Sequence, residues 1–388
     1  MTTINKILGK KDIAGLYIHV PFCKSRCNYC DFYSQTNLNL IEGFVNAARK
    51  EIKLLSNNWQ KQRFASIYFG GGNPACLSIE SISMIISELK KNFNIINDAE
   101  ITIEINPEGI NSDYIVNLKH LGFNRISIGV QSFSDRLLKN LGRRHSASDA
   151  ENVIETINKC GISNISLDLM FGIPDLSIKL WEETLKKTFH TNISHLSAYL
   201  LSLEEGTVLY RKVISNIMSL PDDEIVCEQY KILCEISNKY GFEHYEISNF
   251  GKPNYKSIHN RLYWYGNPYI GIGPSAHSYD GNNVRSWNVR DIKKYILKLE
   301  GNDLPTEKEF LSKNDKINDY IITRLRTEDG IDLNLLEKYF GADISRKLKT
   351  KLNNQAHSNI ICINKNRIQI NEPDLIFSDK IIRDLMFI

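Results

Sequence analysis

Six short apolar runs, each followed by a more polar stretch, restrict what this chain can fold into more than any other feature. "GLYIHV" (15–20), "ASIYFG" (65–70), "EITIEIN" (100–106), "FNRISIG" (123–129), "NISLDLMFG" (164–172) and "HLSAYLL" (195–201) read as buried strands. Amphipathic stretches such as "LIEGFVNAARKEIKLLS" and "SIESISMIISELKKNF" lie between them, and "DDEIVCEQYKILCEISNKYGF" follows the sixth. Repeated strand–helix alternation implies a parallel sheet with right-handed crossovers. Six units fall short of the eight that close a (β/α)8 barrel. The expectation is therefore an α/β fold built as a partial (β/α)6 TIM-like barrel, with an open sheet as the alternative.

Past residue 240 the alternation weakens. Residues 241–300 are rich in aromatics, Gly and Asn and read as an extension of strands and ordered loops. "GNDLPTEKEF" (301–310) reads as a linker. Three short helical patterns follow, then "NIICINKNRIQI" as two strands around an Asn-Lys-Asn turn, then a last helix. The domain expectation is a barrel over 1–240, the extension over 241–300, and a C-terminal winged-helix-like domain over 301–388. A winged helix invites a DNA-binding reading. No basic face stands out, so a packing domain or lid is expected and nucleic acid is not. The chain's 48 basic and 45 acidic residues, a formal net charge of +3, are too balanced to argue for nucleic-acid or membrane binding. "MTTINKILGKKDIAGLYIHV" lacks the apolar core and cleavage site of a signal peptide, and no uncharged apolar run would span a bilayer. A cytoplasmic location is expected.

Distinctive polar residues fall where the expected strands end. A cysteine loop follows the first, "GGGNP" (70–74) the second, and Glu104 closes the third; Gln131 follows the fourth and Asp168 lies late in the fifth. Ligands bind at the carboxyl ends of strands in barrels and open parallel sheets alike. These five segments should therefore converge on one mouth. In the loop, Cys23, Cys27 and Cys30 are spaced C-x3-C-x2-C. Structural zinc sites usually have four protein ligands, often as paired C-x2-C units. No second pair occurs here, and His19 lies on the preceding strand. Three thiolates suit an iron–sulfur cluster with one iron left open for a ligand. The other cysteines, Cys76, Cys160, Cys227, Cys234 and Cys362, are scattered and read as small buried apolar groups.

"CKSRCNYC" resembles the signature of the radical S-adenosylmethionine (SAM) superfamily. The longer stretch "YIHVPFCKSRCNYCDFYS" is similar to the branch holding oxygen-independent coproporphyrinogen III oxidases and the HemW haem chaperones. The resemblance runs from Tyr17 through the C-terminal domain. It implies a [4Fe–4S] cluster held by Cys23, Cys27 and Cys30, with SAM on the vacant iron. It further implies SAM contacts from Tyr17, Tyr29, Gly70, Gly71, Gly72, Glu104, Gln131, Arg143 and Asp168. Asn73 stands where the family usually has Thr. By hydrogen-bond type, Asp168 would suit ribose hydroxyls and Arg143 a carboxylate. Taken alone, the triglycine equally fits a tight strand–helix turn, and Glu104 and Asp168 fit structural ion pairs. G-x-G-x-x-G is absent, so the triglycine is not a dinucleotide fingerprint.

Two features divide the branch. The oxidases carry a fourth cysteine two residues after the third, where this chain has Phe32. "HNRLYW" (259–264) matches the H-N-x-x-Y-W motif of the HemW type. That resemblance implies haem binding by His259, Asn260, Tyr263 and Trp264, with His259 as an axial ligand; ordinary core packing is the alternative for all four. His145, His244 and His277 are weaker candidates. The implied function is haem delivery, membrane respiratory proteins being the implied recipients, by a monomer or homodimer. The alternative is decarboxylation of coproporphyrinogen III by a 5′-deoxyadenosyl radical, and a weaker one is a zinc-stabilised scaffold.

Overall fold

The computed structural model describes residues 7–353 and 360–387. Residues 1–6 of the N-terminal stretch, and Asn359 at the start of the expected hairpin, lie outside the described residues. All six expected strands form: β1 (Ile13–Val20), β2 (Arg63–Gly71), β3 (Asn94–Ile105), β4 (Arg125–Gln131), β5 (Asn164–Phe171) and β6 (His195–Leu200). They lie side by side in chain order, each parallel to the next.

Successive residues of a strand point to opposite faces. Leu16, Ile67, Ile103, Ile128, Leu167 and Leu196 belong to the main hydrophobic core, packed with the crossover helices. The residues next to them in sequence are mostly polar and take the other face. Tyr17, Tyr68, Glu104, Ser127 and Tyr199, from β1, β2, β3, β4 and β6, line a single cavity of about 170 Å³. In a flat sheet β1 and β6 would stand about 24 Å apart at normal strand spacing. Their shared cavity means that the sheet is curved into a partial barrel with a polar interior.

Local signals set the helix ends. Ser78, Asn111 and Ser177 each accept a backbone N–H in the first turn of the helix they precede, and Ser146 does so within a capping box with Asp149. Gly122 stops the helix Ser112–Leu121 at φ +101, a conformation that costs glycine little.

Beyond β6 the sheet is extended on both flanks. β7 (Glu243–Glu246) and β8 (Asn249–Gly251) form an antiparallel pair, and β8 joins β6. β9 (Tyr269–Ile272) runs parallel to β1, and β10 (His277–Tyr279), β11 (Val284–Asn288) and β12 (Thr306–Phe310) continue outward as antiparallel neighbours. The described residues thus make one twelve-stranded sheet, with β12 and β7 as its edges. The stretch expected as a linker contains β12, which pairs Thr306 with Asn288 and Phe310 with Val284. Helices Lys313–Leu325, Leu333–Phe340 and Ala342–Asn353 come next, with a three-stranded antiparallel sheet and a final helix, Ser378–Leu385. This is the winged-helix-like arrangement expected. The expectation of buried cysteines outside the loop holds for Cys234 alone; Cys362 is exposed and Cys76, Cys160 and Cys227 are half-buried.

Candidate cofactor site

The cysteine loop is fixed by its backbone. Cys23 N–H donates to Gln35 O at 3.0 Å, Gln35 N–H returns to Pro21 O at 2.8 Å, and Asn28 N–H donates to Leu141 O at 2.9 Å. Cys23, Cys27 and Cys30 are half-buried free thiols. Burial pushes the Cys23 thiol up to about 12 and Cys30 upward as well. Cys76, at the end of "GGGNPAC", is near enough to Cys23 to raise it further. Arg143 donates to Cys27 Sγ at 3.4 Å and to Asn106 Oδ1 at 2.8 Å, and Tyr29 is hydrogen-bonded to it. The guanidinium expected on a ligand carboxylate thus lies against the loop's sulfur.

The glycine edge of β2 touches the same loop. A Cβ on Gly72 would meet Phe22 O at 2.7 Å and Cys23 Sγ at 3.0 Å, and one on Gly71, at φ +112, would meet the His19 ring at 2.6 Å. Bare backbone is therefore required for β2 to approach the loop. Gly71 N–H donates to Glu104 Oε2 at 3.3 Å and Gly72 N–H to Val20 O at 2.9 Å. Asn73 is buried, and its Oδ1 caps the turn Pro74–Cys76 by accepting Ala75 N–H at 3.2 Å. Gln131 ends β4 at φ 65, beside a register shift against β5 between Gly129 and Gln131. Such bulges re-aim side chains and recur beside functional sites.

Glu104 and Asp168 keep surface because they face the cavity region, yet protein surrounds both. Tyr68 Oη donates to Glu104 Oε1 at 2.8 Å, and Ser127 Oγ donates to Asp168 Oδ1 at 3.1 Å. No basic side chain among the described residues makes a hydrogen bond or ion pair with either carboxylate. Desolvation, and after it Asp168, pushes Glu104 up to about 7; desolvation pushes Asp168 up to about 6 against the hydrogen bonds of Ser197 and Ser127. Tyr17 Oη lies 3.1 Å from His19 Nδ1, whose other nitrogen donates to Tyr33 O at 2.9 Å.

The opposite end of the barrel is sealed. Arg125 is fully enclosed, with Nε 3.9 Å from Glu100 Oε2 and Nη2 3.2 Å from His195 Nδ1. His195 also meets Ser166 Oγ at 2.7 Å and Tyr245 Oη at 2.7 Å. Glu100 accepts the backbone N–H groups of Ile258 and His259, each at 3.0 Å. It thereby caps the helix Ile258–Trp264, which carries "HNRLYW". This helix is docked on the inner face of the barrel. His259 is 2% exposed, its ring stacked 4.9 Å from Tyr68. Its Nδ1 lies 2.8 Å from Ser66 Oγ and its Nε2 2.8 Å from Tyr263 Oη. Burial pushes it down to about 3, so the ring is neutral, and in this arrangement both nitrogens are engaged. Asn260 and Tyr263 line the small cavity, whereas Trp264, half-buried at the end of the helix, does not. His145 is tied to Val130 O, His244 packs on Phe250, and His277 is an exposed residue of β10.

Sequence reasoning missed Tyr68, Arg125, Ser127, Ser197 and Tyr199 in the cavity, and the contacts of Arg125 with Glu100 and His195 that close its floor. The signal was strict alternation in "EITIEI", "RISIGVQ" and "HLSAYL", where every second residue turns inward.

Comparison with known proteins identifies the family. The family model described as Radical SAM superfamily matches residues 17–188, and that of the HemN C-terminal domain matches 311–375. The protein named Heme chaperone HemW in Bacillus subtilis (strain 168) is 32% identical over 355 residues, covering 89% of this chain and 92% of its own. The chain belongs to the HemW family of radical SAM proteins. Another HemW, from Buchnera aphidicola subsp. Schizaphis graminum, is 36% identical over 321 residues, 80% of this chain and 82% of that one. The mitochondrial radical S-adenosyl methionine domain-containing protein 1 of Danio rerio is 37% identical over 266 residues; the match covers 68% of this chain and 60% of that relative. Coproporphyrinogen III oxidase (HemN) from Escherichia coli, a solved radical SAM enzyme, shares the fold with a TM-score of 0.84 at 20% identity, over 97% of this chain and 90% of that one.

Membership of that superfamily implies SAM and a [4Fe–4S] cluster, and the residues present fit both. Three free thiols sit on an anchored loop. Among the described residues, the one group of three His, Cys, Asp or Glu side chains whose ligand atoms all lie within 4.8 Å of one another is Cys234, His244 and Glu372, not this trio. A single tetrahedral zinc would need its sulfurs about 3.8 Å apart at normal Zn–S lengths, so the trio suits a larger centre. The two uncompensated carboxylates beside it suit a cationic ligand. No helix among the described residues is long and apolar enough to cross a membrane.

Proposed function

We propose that this chain binds haem and hands it to recipient proteins, membrane respiratory proteins among them. In the same reading it carries a [4Fe–4S] cluster whose open iron takes SAM. Cys23, Cys27 and Cys30 hold the cluster. Tyr17, Tyr29, Gly70, Gly71, Gly72, Asn73, Glu104, Gln131, Arg143 and Asp168 surround SAM, and His259, Asn260, Tyr263 and Trp264 form the haem-binding segment. When bound, the cluster and SAM supply one-electron chemistry. Arg143 steadies the charge on the Cys27 sulfur. Glu104 offers buried negative charge to the cationic groups of SAM and Asp168 accepts from its ribose hydroxyls, and Tyr68 and Ser127 keep those carboxylates oriented by hydrogen bonding.

The observation that carries the reading is likeness to a protein named Heme chaperone HemW across 89% of the chain. Phe32 supports it: where the oxidases have their extra cysteine, this chain has an aromatic side chain that is 70% exposed. The test is anaerobic reconstitution followed by parallel assays. A brown, oxygen-sensitive cluster should form and be lost when any one of Cys23, Cys27 and Cys30 becomes Ser. Hemin should bind the reconstituted protein and bind His259→Ala more weakly. Unchanged affinity would remove His259 from the haem site, and decarboxylated porphyrinogen as a product would favour the oxidase reading.

A further inference from the structure

The small cavity beside His259 has no room for a macrocycle, but a second cavity next to it has. A cleft of about 1130 Å³ opens between the segment before β1, the extension around 263–285 and the C-terminal helices. Pockets for ligands of drug size span about 300–1,000 Å³. Tyr263 lines both cavities. It is the residue through which the "HNRLYW" helix reaches the cleft.

The walls are aromatic on both sides. The extension contributes Tyr263 and Tyr269, with ring centroids 4.6 Å apart. The C-terminal helices contribute Tyr320, with Tyr339 at 6.3 Å and Phe340 at 5.9 Å. Arg324 joins the two groups, its guanidinium 4.6 Å from the Tyr265 ring and 5.5 Å from the Tyr320 ring.

Charge selects the ligand further. Seven cationic side chains line the cleft against three carboxylates, in a chain whose formal net charge is only +3. The three carboxylates are committed. Asp319 pairs with Arg285, Asp329 lies near Arg367, and Asp332 accepts the first amides of the helix Leu333–Phe340. Among the described residues Arg324 has no carboxylate partner; its hydrogen bond is to the Tyr265 carbonyl at 3.4 Å.

We propose that this cleft is where haem sits, as a flat, anionic macrocycle held between the tyrosine walls with a propionate on Arg324. The proposal rests on the haem-binding reading above: it seats the macrocycle against Tyr263, whose hydroxyl lies 2.8 Å from His259 Nε2, so that His259 acts on the cleft through Tyr263. Arg324 suits a planar carboxylate because its fork can donate twice. Lys10 and Lys11 at the cleft's edge add positive charge.

The experiment uses the full chain with its cluster reconstituted, titrated with hemin and with hemin dimethyl ester, in which both propionates are neutral. Arg324→Leu should weaken hemin binding by about tenfold or more, the scale of a lost charge-assisted hydrogen bond. It should leave the ester's affinity and the cluster absorption unchanged. Tyr339→Leu, at a side chain already 57% exposed, supplies a wall variant that does not disturb the core, and it should weaken both ligands. If the wild-type protein binds hemin and both variants bind it equally well, the macrocycle sits elsewhere and the cleft assignment falls while the haem reading stands. If the wild-type protein binds no hemin, both fall.

Discussion

Glu100 and Glu104 stand four residues apart on the inner face of β3, and their surroundings are opposite. Glu100 has a guanidinium at 3.9 Å and two helix N–H donors at 3.0 Å. Glu104 has a phenol and one glycine amide, a second carboxylate nearby, and a proton affinity raised to about 7. A buried charge with its partners built in belongs to the architecture; one without them is waiting for a ligand to supply the counter-charge. The barrel is thus sealed at one end by its own ions and left electrostatically incomplete at the end where the cysteine loop sits.

The largest effect expected from breaking this contrast is at the sealed end. Arg125→Met would strip Glu100 of its cation, and removing one partner of a buried pair costs about 3–5 kcal/mol. Denaturant unfolding of the apo protein should register that loss. Adding Glu100→Gln should recover part of it, because the remaining group is then neutral. A loss below about 1 kcal/mol would mean that the helix amides alone satisfy Glu100, and the sealed end would be less ionic than its geometry implies.

Part of this contrast was legible in the sequence. The six apolar runs place the strands, and the position of Glu104 at a strand end marks it as a site residue. Glu100 gives no such sign, because its partners are a helix start at Ile258 and an arginine on the next strand, and no local pattern links them. His259 illustrates the same limit: its motif is visible in the chain, but its seat against Tyr68 and Ser66 is a tertiary fact. The misread linker has a different cause. β12 is an edge strand, and "TEKEF" carries the charges that keep such edges from pairing with other chains, so it reads as polar loop.

At the incomplete end the effect is smaller and depends on pH. Glu104 and Asp168 are both raised, so their contribution to stability is full below about pH 4 and is lost as pH rises through about 6 and 7. Glu104→Gln should leave the apo protein unchanged at pH 4. At pH 8 it should be more stable than wild type by about 1–2 kcal/mol, a figure reduced for the partial exposure of the site. SAM should bind wild type more tightly as pH rises from 6 to 8, and Glu104→Gln should bind it weakly with most of that slope gone. Equal pH slopes in the two proteins would remove Glu104 from the cation site.

Thr102, between the two glutamates on the same face of β3, marks where one regime gives way to the other. It pairs in register with Tyr68 on one side and Arg125 on the other. It is fully buried, and its Oγ1 has no hydrogen-bond partner among the described residues. A buried hydroxyl without a partner loses its hydration and gains nothing in return, so Thr102→Val should be neutral or stabilising by up to about 1 kcal/mol in the apo protein. If valine instead destabilises the protein by more than about 1 kcal/mol, the hydroxyl is satisfied in solution, by water reaching down from the cavity. Water would then reach Thr102 behind the cavity wall that Tyr68 and Arg125 form, and the seal would begin only at Glu100.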